Sequence, residues 1–137
     1  MTVPSEGSPL GPWRIESVDA AKMKTFAVLL ADPNPIHLDP QAARAAGLGD
    51  REVNQGPASM GYVLNMLRES LPGATIRNLR VRFTANVFAG DAVTAVGEVT
   101  GVERDGDETR LACSVWLDVE GGRRALEGTA TLVLPSN

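Results

Sequence analysis

The chain has 137 residues, 43% hydrophobic and 22% charged, a composition that excludes a disordered or fibrous chain and sets a single globular domain. A formal net charge of −4 gives no electrostatic footprint for nucleic acid, the single cysteine excludes an internal disulfide, and one histidine far from that cysteine offers no metal-ligand spacing. No stretch approaches a membrane span and the N-terminus lacks the basic-then-apolar order of a signal peptide, so a cytoplasmic protein without a membrane partner is expected.

Residues 1–11 mix Pro4, Ser5, Gly7, Ser8, Pro9 and Gly11 without a pattern and read as a flexible N-terminal arm, leaving the folded domain at 12–137. Residues 13–16 form a short strand candidate. Ser17 or Asp19 then caps a helix over 20–30, whose Met23, Phe26, Ala27 and Leu30 fall on one face as a core stripe. The helix stops at Ala31, because Asp32 stands before a proline and is pushed out of helical space. Asp39-Pro40 is an N-cap followed by a first-turn proline, opening a short helix over 41–46 that Gly47 ends. Asp39 is therefore read as a cap rather than as a second acid.

A polar, glycine-rich loop fills 47–56, and Pro57 opens a helix reaching about residue 71, closed by Pro72-Gly73. Met60, Tyr62, Val63, Leu64, Met66 and Leu67 lie on nearly every face of it, which predicts a helix buried all round. Gly56 stands where the free N–H groups and positive dipole end of that helix collect, although a plain loop glycine has the same appearance. From residue 75 the period switches to two. Strands are expected over 75–88, 92–104, 109–120 and 123–134, with Asp105-Gly106-Asp107 and Glu120-Gly121-Gly122 as turns. Leu111, Cys113, Val115, Leu117 and Val119 share one strand face, so Cys113 reads as inert core. Trp116, on the opposite face, belongs at a subunit contact or under the N-terminal arm. The plan is α+β: an antiparallel sheet curved around one central helix.

The segment Asp32-Pro33-Asn34-Pro35-Ile36-His37 holds the only histidine. Its two prolines fix their own φ and restrict the residues before them, making a stiff turn that can keep Asp32 and His37 on one side. A carboxylate beside an imidazole is a candidate general acid/base pair. The plainer reading is an ordinary Pro/Asn turn with a satisfied histidine, and for Asn34 an Asx-type turn.

From Phe26 to Ala43 the chain resembles the hydratase signature of the MaoC-like, (R)-specific enoyl-CoA hydratase and dehydratase family. That signature has an aromatic residue, a small-Gly-Asp run, x-Asn-Pro-aliphatic-His, and a small residue six positions on. Asp32, Asn34, Pro35, Ile36 and His37 match, while Leu30-Ala31 departs from the small-Gly pair. Residues 47–67 resemble the family's entry to its central helix, with Gln55-Gly56-Pro57 in place of the usual His-Gly-Met. Residues 79–91 resemble its strand ending in Gly-Asp, with Asn86 where a proline usually stands.

The resemblance implies a single hotdog fold with the hydratase-specific helical overhang, a homodimer, and an acyl-CoA or acyl carrier protein thioester as substrate. It implies a hydro-lyase that adds or removes water syn across an enoyl thioester, with no redox or metal cofactor. In that reading His37 activates water, Asp32 handles the proton at C2, Asn34 orients the water or His37, and the Gly56 N–H receives the thioester oxygen. Gln55 and Ser59 complete the expected substrate-binding set. Arg80 and Arg82 either meet coenzyme phosphates or pair with acids on neighbouring strands, the second being commoner. The rivals are a dehydratase-fold enzyme working on a carrier-bound natural-product intermediate, which the Gln55-Gly56-Pro57 departure favours, a hotdog acyl thioesterase, and a non-catalytic partner subunit.

Overall fold

A computed structural model describes residues 3–135. Its elements run β1 (Pro9–Ile15), α1 (Ala20–Leu29), a 3-10 turn (Pro35–His37), α2 (Pro40–Ala45), α3 (Gly56–Ser70), β2 (Thr75–Phe83), β3 (Val93–Asp105), β4 (Glu108–Val119) and β5 (Arg123–Leu134). The five strands make one antiparallel sheet in the order β1-β3-β4-β5-β2. Asp19 caps α1 by accepting from the Ala21 N–H at 2.8 Å, and Asp39 caps α2 through the Gln41 N–H at 2.9 Å.

β4 and the first half of β3 alternate as their sequences predict, because each has one face on the core and one outside, whereas β5 buries Ala125-Leu126 and Leu132-Val133-Leu134 in consecutive runs. The β4 row from Leu111 through Leu117 packs with Val63, Met66 and Leu67 of α3, and each such fully buried side chain contributes about 1.5–3 kcal/mol. Gly97 makes room for this packing, since a Cβ there would stand 2.8 Å from the Ser114 carbonyl oxygen and 3.2 Å from the Met66 methyl. Cys113 is buried in the same cluster, and desolvation pushes its thiol up to about 11. On the opposite face Trp116 lies under the Arg124 guanidinium, 5.1 Å from the ring centroid.

Four expectations change. β1 begins at Pro9, inside the stretch read as an arm, because Leu10 is a buried core residue and Pro9 pairs opposite Glu98. The rest of the expected arm includes Met1 and Thr2, outside the described residues. β2 ends at Phe83 rather than at 88, and residues 84–92 leave the sheet edge to pair with the loop before α3, through the Asn54 N–H to Val87 O at 2.7 Å and the Ala89 N–H to Glu52 O at 2.9 Å. α3 is buried on one face only: Ala58, Ser59, Val63, Met66 and Leu67 are buried, the last three in the core cluster with the strands, while Asn65, Arg68 and Glu69 are exposed. Abundant apolar residues do not distinguish a helix buried all round from one covered on one side by a single sheet. The stripe on α1 is likewise partial, with Met23 fully buried and Leu30 exposed.

Arg82 pairs with Glu127 across β2 and β5 at 3.1 Å. Arg80, Arg77 and Arg110 line an open pocket on the outer sheet face, where Glu108 lies 3.8 Å from Arg77 and 3.2 Å from Arg110. Among the described residues no helix is long and apolar enough to cross a membrane.

Candidate active site

The end of α1 delivers Asp32. The helix closes in a Schellman motif: the Asp32 N–H donates to Ala27 O at 2.9 Å and the Ala31 N–H to Val28 O at 3.2 Å. This geometry needs a left-handed residue between them, and Ala31 supplies it at φ 49°. The chain then turns on two side chains. Asp32 Oδ1 accepts from the Asn34 N–H and Asn34 Oδ1 from the Ile36 N–H, both at 3.2 Å. Asn34 thus caps the 3-10 turn, is exposed, and does not line the cavity described below; it shapes the segment.

The turn places His37 against the loop before α3. The Val53 N–H donates to Ile36 O at 2.9 Å, and His37 Nδ1 lies 2.6 Å from Val53 O. A carbonyl only accepts, so Nδ1 carries the proton and Nε2 is left as the basic nitrogen. Nε2 stands 3.4 Å from Asp32 Oδ2, with the histidine side chain 10% exposed and the carboxylate 39% exposed. One partner is sheltered and the other faces solvent across it. A water touching both groups meets an acceptor nitrogen and a carboxyl side by side.

His37, Asn54, Gly56, Ser59, Phe83 and Asn86 line a cavity of about 200 Å³. Asp32 stands outside this lining and walls an adjoining, mostly apolar groove of about 600 Å³ with Ala27, Val28, Ala31 and Leu38. The acid/base pair therefore has one member on each lining, His37 on the cavity and Asp32 on the groove. Gly56 is the first residue of α3, and its N-cap Gln55 makes no side-chain capping bond. Pro57 has no N–H, so the Gly56 and Ala58 amides are the donors in this first turn, before the Ser59 N–H closes onto Gln55 O at 3.2 Å. A Cβ at residue 56 would lie 2.9 Å from the Phe83 ring, so glycine lets the ring cover the helix end.

The expected set is thus divided. Asp32, His37, Gly56 and Ser59 converge on the cavity and its rim. Gln55 does not join them: it is 1% exposed and its amide donates to Met23 O at 2.8 Å, tying α1 to the start of α3. Asn54, Phe83 and Tyr62 escape the sequence reading. Asn54 sits one position before Gln55 and is 7% exposed; its Nδ2 donates to Ser59 Oγ at 3.1 Å and Tyr62 Oη at 3.2 Å. Tyr62 stacks on Trp13 with centroids 5.8 Å apart. Burial raises its pKa and the Asn54 hydrogen bond opposes the rise. The signal for Asn54 was a polar residue flanked by Val53 inside a loop that otherwise reads as solvent-facing. Among the described residues no three His, Cys, Asp or Glu side chains converge as a metal site.

A family model described as MaoC like domain matches residues 5–116. An (R)-specific enoyl-CoA hydratase of Aeromonas caviae is 33% identical over 118 residues, covering 85% of this chain and 86% of that one. A second protein of the same name, from Rhodospirillum rubrum, is 31% identical over 125 residues, 88% of this chain and 83% of that one. The solved (R)-hydratase from A. caviae involved in PHA biosynthesis superimposes with a TM-score of 0.85 at 29% identity, covering 98% of this chain and all of that one. The fold is accordingly the hotdog that the family resemblance implied.

Proposed function

The chain belongs to the MaoC-like domain family and is a hydro-lyase of the hydratase and dehydratase class; we propose that it hydrates trans-2-enoyl thioesters to (3R)-3-hydroxyacyl thioesters and catalyses the reverse dehydration. One observation carries the reading. The free Nε2 of His37, fixed by the Nδ1 bond to Val53 O, faces the Asp32 carboxyl at 3.4 Å beside a cavity that Gly56 also lines.

In the forward direction His37 Nε2 takes a proton from water as the hydroxide portion bonds to C3. Electrons of the double bond move onto the thioester oxygen, where the Gly56 N–H and the positive end of α3 receive the charge, worth about 3 kcal/mol for such a donor. The Asp32 carboxyl delivers a proton to C2 and regains one from His37. Both groups act from the same side, so addition is syn. The coenzyme A thioester is the substrate named for the relatives from A. caviae and R. rubrum, and it is the first choice here.

The test follows the loss of enoyl-thioester absorbance with short and medium trans-2-enoyl-CoA esters and with the same chains on acyl carrier protein. The parent is expected to turn over and to yield the (3R) alcohol. Asp32→Asn and His37→Ala are each expected to lower kcat by roughly 10²–10⁴-fold. A folded parent inactive on every thioester, or producing free acid and thiol instead, overturns the reading.

A further inference from the structure

Resting on that hydratase reading, we propose that Ser59 donates its hydroxyl proton to the thioester oxygen as a second donor beside the Gly56 N–H, and that Asn54 is the positioning residue that leaves this proton free.

The argument begins with what α3 lacks. The second residue of the helix is Pro57, so one of the amides that gather at a helix N-terminus is missing where negative charge develops. Ser59 is three positions after Gly56, which puts the two on neighbouring positions of one helix face, and both line the cavity that holds His37. Ser59 is 4% exposed, so its hydroxyl has little access to bulk water.

The direction of that hydroxyl is set by Asn54. The Asn54 backbone N–H is tied to Val87 O at 2.7 Å, which anchors the residue. An amide NH₂ has two protons and accepts nothing, and here it serves Ser59 Oγ at 3.1 Å and Tyr62 Oη at 3.2 Å. Each hydroxyl oxygen is an acceptor in its bond with Asn54, so each keeps its own proton for another partner. Tyr62 is not part of the cavity lining, whereas Ser59 is. The Ser59 proton is thereby left for whatever oxygen enters beside Gly56. The opposing effect of Asn54 on the raised Tyr62 pKa is that of a donor onto the phenol oxygen.

The experiment uses the full chain, trans-2-butenoyl-CoA as probe, and five proteins: parent, Ser59→Ala, Ser59→Thr, Asn54→Asp and the Ser59→Ala/Asn54→Asp double variant, with kcat and KM measured separately. Ser59→Ala is expected to lower kcat by roughly 10²-fold, the usual loss for one oxyanion donor, with KM little changed. Asn54→Asp keeps the size of the side chain but offers an acceptor, which turns the Ser59 proton away from the cavity; its kcat is expected to fall comparably in the parent and not further in Ser59→Ala. Ser59→Thr keeps a hydroxyl and is expected to retain kcat within about tenfold, which supplies the test if Asn54→Asp does not fold. Parental kcat in Ser59→Ala, an effect confined to KM, or an Asn54→Asp protein as active as the parent overturns this inference alone. An inactive parent overturns the hydratase reading on which it rests.

Discussion

Ala31 is the residue on which the geometry of Asp32 turns. A left-handed φ of 49° is glycine's region, and an L side chain there costs roughly 1–2 kcal/mol. The family signature has glycine before the aspartate, so the departure at Leu30-Ala31 falls where the helix must reverse hand. Ala31→Gly should relieve the strain and lose part of the gain to the freer unfolded chain, for a net stabilisation of about 0.5–1 kcal/mol. Urea unfolding checks it, and a midpoint lowered by the full glycine entropy cost would show that the position carries no strain. The proximity of Asp32 and His37 was legible in the sequence because only five peptide bonds separate them and two prolines stiffen the link. Asn54 and Phe83 were not legible. They meet the histidine through pairing of residues 51–54 with 87–89, and no local pattern encodes a pairing across more than thirty residues.

At the scale of elements, the 84–92 crossing and the loop before α3 hold each other. Asp91 ties them: its carboxylate lies 3.1 Å from Arg51 and 2.8 Å from Arg123, accepts from the Phe88 N–H at 2.9 Å, and is 10% exposed. Both guanidinium groups also lie over the Phe88 ring. Arg51 is two residues before Val53, the residue whose carbonyl fixes His37. Asp91→Asn is therefore expected to cost about 2 kcal/mol, because it removes the charge from three hydrogen bonds or ion pairs at once, and to lower kcat by loosening the His37 support. Denaturant titration and the hydration assay read the two effects; a stable variant with unchanged kcat would show that the cluster is not needed to hold the site. The resemblance marked residues 79–91 as a strand ending in Gly90-Asp91. It did not show that the preceding strand stops at Phe83, since alternation ends only where the chain acquires another partner.

For the molecule as a whole, one sheet covers one side of α3 and leaves Val28, Leu29 and Phe83 exposed at 80%, 73% and 51%. β2 is an edge strand, paired on one side with β5. Apolar side chains and an open edge of this kind are the features a second copy covers. A homodimer is the expected state, and light scattering should return two chains of 14.5 kDa each; a monomer at micromolar concentration would contradict it. The antiparallel sheet was legible because half-buried strands alternate. How much of α3 the sheet would cover was not, because composition records apolar content and not what lies against it.

The sheet order has a consequence in time. β1 lies beside β3, and the turn carrying His37 leans on a loop that is closed by Val87 and clamped by Asp91. During synthesis Asp91 follows His37 by roughly fifty residues, so at about 5–20 residues per second the histidine waits roughly 3–10 s for the backbone that will fix it. The acid and base leave the ribosome early and are assembled late. A nascent chain released before residue 91 would carry both groups without the clamp that completes their support.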